Sequence, residues 1–388
     1  MNKVKEILRK NTMLITLIFV MLLFQLLITS QNKGSLFAPT NITNLISQNS
    51  YVVILATGML MCILTGGNID LSVGSVVALV GALAGTLVVN LKMNIYLSIV
   101  LCLIAGTAIG AWQAFWIAYM RIPPFIVTLA GMLTFRGIAL ILLNGLTISP
   151  FPERYTRYFN SYLPMGNVEK LPVCLMIAAV ICAVFIVTQV VSRLNKRRKG
   201  YALEPIVWLA VRLVLISALV MAVFWLLGQD KGIPVILILL AAVVLVYRYY
   251  TSNTVPGRHL YAMGGNEKAA SLSGINTNRT MFFAYTNMGF LAAVAALVCV
   301  ARFNSAAPSA GTNYEMDAIA SCFIGGASAY GGVGTVGGAV IGAIFMGVLN
   351  NGMSILGVDA NWQRTVKGLV LLAAVIFDVL SKKRKRAA

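Results

Sequence analysis

The sequence predicts an all-α, polytopic membrane bundle of about ten core transmembrane helices plus two extra ones, and three observations carry that expectation. Hydrophobic residues fill 59% of the 388 positions and charged residues only 11%, against roughly 25% charged in soluble domains. Apolar runs of about 18 residues or more, each long enough to cross a bilayer, recur along the chain. The 30 basic residues outnumber the 11 acidic ones, and they gather in short stretches between the apolar runs. A soluble enzyme, a disordered tail and a disulfide scaffold are excluded. The placement of the charges fits a basic membrane face better than nucleic-acid binding.

The passes follow in order. The first, at about 13–30, comes after Lys3, Lys5, Arg9 and Lys10. It lacks an A-x-A-like exit and so reads as a retained helix, not a cleaved signal. Passes at about 45–65, 73–90, 95–118 and 125–143 come next. A loop from about 144 to 171, with Pro150, Pro152 and Pro164, reads as an irregular cap. An extra helix pair spans about 172–227, with Arg193, Lys196, Arg197, Arg198 and Lys199 in its connection. A pass at about 233–250 leads into a polar loop at about 251–280. Passes at about 281–301, 317–331, 334–355 and 363–380 complete the set of twelve. The last precedes Lys382, Lys383, Arg384, Lys385 and Arg386. Positive segments stay in the cytoplasm, so both termini are expected there. Residues 1–388 read as one transmembrane domain.

Small residues recur at helical spacing in Gly81-x-x-x-Gly85, Gly106-x-x-x-Gly110 and Gly338-x-x-x-Gly342. Such faces let helices approach closely where lipid removes the hydrophobic drive for association. The six cysteines lie inside apolar passes without metal-ligand spacing, and read as small buried residues. His259 is the one histidine. With no clustered carboxylates, no acid–base pair or metal site is legible, and no catalytic residue is expected. No G-x-x-x-x-G-K-[ST] segment occurs. Gly332-x-Gly334-x-x-Gly337 matches a dinucleotide fingerprint but follows no strand, so it carries no weight.

Two polar interruptions stand out. Gly66-Gly-Asn-Ile-Asp-Leu-Ser-Val-Gly-Ser75 breaks an apolar run and places Asn68, Asp70 and Ser72 at membrane depth. Asp70 reads either as the cap of a helix starting near Ser72 or as part of a transport pathway. Asn350 and Asn351 interrupt a later pass and read as pathway-lining or as helix-bridging amides. Phe125, with Phe135, Trp112 and Trp116, reads as a stacking face for a sugar or as packing. A weak internal echo pairs Cys62–Gly67 with Cys322–Gly326 and Val73–Val76 with Val333–Val336.

In the polar loop, Gly264 and Gly265 are expected to make a turn and Asn266 to cap a short helix. Glu267 then complements the helix dipole. Ala269 and Ala270 favour helix, and Gly274, after Ser273, ends it. A short capped helix of this kind reads as a docking peg for a partner or as an ordinary loop helix.

Four stretches now show a resemblance: Thr65–Ser75 (TGGNIDLSVGS), Ile122–Gly137 (IPPFIVTLAGMLTFRG), Gly257–Asn276 (GRHLYAMGGNEKAASLSGIN) and Pro308–Val358 (PSAGTNYEMDAIA … LNNGMSILGV). They resemble the permease subunit of ATP-binding-cassette monosaccharide importers of the ribose/xylose/galactose type, nearest the xylose or multiple-monosaccharide permeases. The resemblance implies the larger type of importer permease, working by alternating access in the bacterial cytoplasmic membrane. It implies an ATPase subunit (of two fused cassettes), an extracytoplasmic sugar-binding protein and a second permease copy as partners. ATP and magnesium would be used by the ATPase, with no cofactor bound by this chain. The segment Gly264–Gly274 corresponds to the part that couples to the ATPase. The alternatives are an ion-coupled secondary sugar transporter and a same-family permease for a nucleoside or other polyol.

Overall fold

In a computed structural model, which describes residues 12–164, 169–201 and 205–386, regular structure is helical throughout. Among the described residues the only β pairings are isolated bridges, Ile148 with Ala306 and Tyr162 with Pro234. The helices are α1 (Thr12–Ser30), α2 (Pro39–Gln48), α3 (Ser50–Leu64), α4 (Val73–Gly85, continued by a π turn, Thr86–Asn90), α5 (Ile95–Ala118), α6 (Pro124–Leu143) and α7 (Glu153–Asn160). There follow α8 (Lys170–Arg198), α9 (Ile206–Gln229), α10 (Val235–Asn253), α11 (Val255–Gly265), α12 (Glu267–Leu272), α13 (Thr277–Phe303), α14 (Tyr314–Ile324), α15 (Val336–Ile355) and α16 (Ala360–Arg386).

Among the described residues nine helices are long and apolar enough to cross a membrane, and α2 with α3, bent by 41° at their junction, make a tenth. Two of the twelve expected passes differ. The pass expected at about 317–331 is the 11-residue α14, only about 16 Å long at 1.5 Å per residue. It stops at Gly325 and Gly326, the latter at φ +84°. The pass expected at about 363–380 is α16, which carries Arg364, Lys367 and Asp378 within its apolar stretch.

The core is built from α3, α4 and α13, flanked by α5, α14 and α15. Close approach explains why. A methyl group on Gly106 would lie 2.5 Å from Ala293 Cβ, and one on Gly289 would lie 2.6 Å from Gly110 Cα. The small-residue face of α5 is thus seated directly on the backbone of α13. The expected extra pair is α8 and α9, which pack on each other around Cys174, Ala178 and Phe224. All six cysteines are free and buried.

Candidate functional site

The polar loop becomes two short helices at one end of the bundle. Thr254 caps α11, its Oγ1 accepting the Gly257 N–H at 3.1 Å. Pro256 sits in the first turn, where no N–H is needed. Asn266 is extended (φ −161°, ψ 106°), and its Oδ1 accepts the Ala269 N–H at 3.0 Å. Glu267 opens α12, Ala269 and Ala270 follow, and Ser273 Oγ donates to the Ala269 carbonyl at 2.9 Å. Gly274 (φ +85°) ends the segment, with Ile275 N–H bonded to the Ala270 carbonyl at 3.1 Å. The cap and stop fall on the expected residues.

Gly264 and Gly265 do not make the expected turn. They are the last helical residues of α11. The glycine at 264 answers a contact: a methyl there would overlap the Leu64 carbonyl oxygen and the Gly332 nitrogen. Ala270 is buried, whereas Leu272 is 91% exposed, so α12 presents an apolar tip outward. One residue the sequence reading left without a role anchors this segment. Arg121, left-handed at φ +56° in the α5–α6 turn, places Nη1 2.5 Å from Glu267 Oε1. Its Nη2 donates to Thr277 Oγ1 at 3.2 Å and to Asn278 Oδ1. Only its position in a tight turn between two long helices marked it in the sequence.

Behind the segment lie two helix breaks. In the first, Gly66 (φ +134°) and Gly67 (φ +78°) end α3, and Asn68 Nδ2 donates to Thr65 Oγ1 at 3.2 Å. Asp70 Oδ1 accepts the Ser72 N–H at 2.8 Å and the Ser72 hydroxyl at 2.6 Å. Ser72 Oγ accepts from Gln113 Nε2 of α5 at 2.8 Å. Asp70 and Ser72 are both buried; the N-cap position of α4 is Ser72, whose side chain makes no cap hydrogen bond, and Asp70 bonds that residue and not a first-turn N–H of the helix. The second break joins α14 to α15 through Gly326, Gly331, Gly332 and Gly334, all at positive φ. Thr335 Oγ1 caps α15 by accepting the Gly338 N–H at 3.0 Å. The two breaks touch: Gly332 N–H donates to the Leu64 carbonyl at 3.2 Å, and methyl groups on Gly67 or Gly331 would overlap Ala329 or Gly66. The echoed segments are therefore neighbours in space, each a helix, a glycine break and a second helix.

The other sequence candidates scatter. Asn351 exchanges amide hydrogen bonds with Asn41 of α2, at 2.9 and 3.0 Å, and bridges helices. Asn350 Oδ1 is buried without a hydrogen-bond partner. Phe125 is exposed on the bundle's flank, while Phe135 is buried edge-to-face against Trp112. No stacked platform forms from these rings.

Sequence reasoning missed one constellation at the opposite end of α3. Asp317, buried on α14, accepts the Tyr51 hydroxyl at 2.9 Å. Lys367 Nζ of α16 lies 2.9 Å from its Oδ1 and 3.2 Å from its Oδ2. Tyr314 stacks on Tyr51 at 3.8 Å between centroids. Charged residues within expected membrane passes, Asp317 in one and Lys367 in another, were the only signal.

Two cavities differ in character. A groove of about 450 Å³ on the flank is apolar, lined by Leu103, Ile104, Ala108 and Phe290 among others. A polar hollow of about 310 Å³ lies between Arg121 and residues 271–278. No group of three or more metal-ligating side chains occurs among the described residues.

A many-pass helical bundle with a capped segment at one end and broken helices behind it has the architecture expected of a membrane transport permease. Its family is shown by comparison. The family model described as branched-chain amino acid transport system / permease component matches residues 41–375, and the chain belongs to that family. It is 38% identical to the xylose transport system permease protein XylH of Escherichia coli K12 over 374 residues, covering 96% of this chain and 93% of that one. It is 38% identical to XylH of Haemophilus influenzae over 385 residues, covering 99% and 100%. It is 34% identical to the ribose import permease protein RbsC of E. coli K12 over 359 residues, covering 92% of each. No solved structure matches. The resemblance first seen in four segments thus extends over nearly the whole chain.

Proposed function

We propose that this chain is the membrane subunit of an ATP-driven importer that carries a monosaccharide into the cytoplasm by alternating access. The observation that carries this reading is the α11–α12 segment. It is capped at both ends, anchored by Arg121 and Glu267, and tipped by the exposed Leu272. A separate ATPase with two fused cassettes would grip it, using its own ATP and magnesium. The sequence's lack of a phosphate-cradling loop fits that division. Xylose is the first candidate cargo and ribose the second, on the strength of the relatives. Two copies of the chain would form the cargo path, as the family resemblance implies; the groove on the flank is apolar, with Thr107 as its one polar lining side chain. A sugar-binding protein delivers from outside. The chain lies in the bacterial cytoplasmic membrane with both termini inside, on the evidence of its basic clusters.

ATP binding drives transport only if the ATPase favours one permease state over the other. The ion-coupled alternative leans on Asp70, and Ser72 already engages Oδ1 of that carboxylate. The test is uptake of radiolabelled xylose and ribose by cells lacking their own system. Leu272→Asp, at an exposed position, is expected to lower ATP-dependent uptake at least tenfold while the permease still inserts. Uptake driven by an imposed proton gradient without ATP would overturn the reading.

A further inference from the structure

We propose that Gly264 is a contact node through which the α11–α12 segment moves both helix breaks directly, without relying on the flanking helices α10 and α13. The inference rests on the functional reading above and adds a route for the motion. Three chain segments meet at Gly264 without side chains between them. They are the end of α3 at Leu64, the α14–α15 break at Gly332, and the end of α11 itself. A methyl at 264 would overlap the Leu64 carbonyl oxygen and the Gly332 nitrogen. One at Gly332 would lie 2.8 Å from the Gly265 nitrogen and 2.9 Å from the Gly264 carbonyl carbon. The neighbouring Gly265 has nothing within 4 Å of an added methyl, so the crowding is specific to position 264.

Two hydrogen bonds tie the node. Gly332 N–H donates to the Leu64 carbonyl at 3.2 Å. The Tyr261 hydroxyl, one turn before Gly264 on α11, donates to the Gly334 carbonyl at 2.9 Å. Backbone packed on backbone has little slack, because close-packed interfaces shift between discrete arrangements instead of deforming smoothly. A displacement of α11 along its axis therefore presses on both breaks together. The first break leads through Asp70 and Ser72 to Gln113 of α5, and the second opens α15 at the Thr335 cap. Arg121 holds the other side of the segment to the start of α13, so α12 is braced while the end of α11 bears on the breaks.

The test uses the full chain in nanodiscs with the ATPase of its own transport system. The reporter is Tyr330→Cys, an exposed site in the second break. Its alkylation by a maleimide is read with and without a non-hydrolysable ATP analogue, against six buried native cysteines. In this background nucleotide is expected to change the alkylation rate at least threefold. Adding Gly264→Ala should abolish that change while the ATPase still co-purifies. Adding Gly337→Ala, a helical glycine with open space around it, should leave it intact. Should Gly264→Ala fail to accumulate, Tyr261→Phe removes the hydroxyl that bonds Gly334, along with its contact to Thr251 within the α10–α11 stretch, and is expected to at least halve the response. A nucleotide response in Gly264→Ala, or in Tyr261→Phe when that variant decides, equal to that of the reporter background would overturn the node alone. An ATPase that does not bind even the unsubstituted chain would overturn the functional reading, and the node with it.

Discussion

The buried helix α13 and the peripheral helix α9 each carry an apolar window long enough to cross a membrane, yet 78% of the first one's window is buried and 6% of the second's. The less hydrophobic of the two is the one inside. In water this order would be reversed. In a bilayer, lipid solvates Val214, Leu215 and Leu219 of α9 as well as protein would, so hydrophobicity alone gives no reason to bury them. What selects α13 for the interior is small side chains: Gly289, Ala292, Ala293, Ala295 and Ala296 let α4 and α5 come close enough for dispersion and packing to hold the bundle.

That contrast can be broken at its strongest point. Gly289→Leu should drive a side chain into Gly106 and Gly110, costing about 3 kcal/mol or more by overpacking. Loss of the monodisperse peak in detergent chromatography would report it, and Leu219→Ala on α9 should leave that peak unchanged. The polar ties inside the bundle come next. Lys367→Met strands Asp317 without its cation, at a cost of about 3–5 kcal/mol for a broken buried pair. Adding Asp317→Asn should recover part of the lost melting temperature, because neither charge is then left alone. Asn351→Ala leaves Asn41 short of a partner and should cost about 1–3 kcal/mol, read by the same thermal melt. Asp70→Asn keeps an acceptor for the Ser72 N–H and should cost about 1 kcal/mol or less. An unchanged KM for sugar in Asp70→Asn would mark the carboxylate as a local brace for Ser72, and a large rise would place it in the pathway.

The smallest effect is expected from removing the peripheral pair altogether. Its ends already meet: Leu163 N–H donates to the Ile233 carbonyl and Val235 N–H to the Ser161 carbonyl, each at 2.9 Å. Replacing residues 165–231 with a short Gly-Ser link should leave the remaining bundle folded. Its melting temperature should then lie within a few degrees of the parent's.

Much of this was legible in the chain. Hydropathy placed most of the helices, and Asn266 and Gly274 marked the short helix α12 because caps and stops act locally. The local bond from Ser72 to Asp70 was within reach of the sequence too, since the two lie two residues apart. Arg121 with Glu267 and Asp317 with Lys367 were not, because each pair is far apart in sequence and meets only through tertiary packing. Gly264 read as a turn residue because sequence shows that a side chain is missing but not what occupies the space. The truncation of α14 was hidden for a related reason: the apolar run continues past Gly326, but the glycine-rich backbone there leaves the helix.

The most direct test of the account is xylose and ribose uptake into proteoliposomes holding the purified chain, with and without its ATPase and binding protein. The account expects ATP-dependent accumulation only from the complete set, and none from the set carrying Leu272→Asp. Uphill accumulation by this chain alone, or undiminished transport with Leu272→Asp, would contradict it.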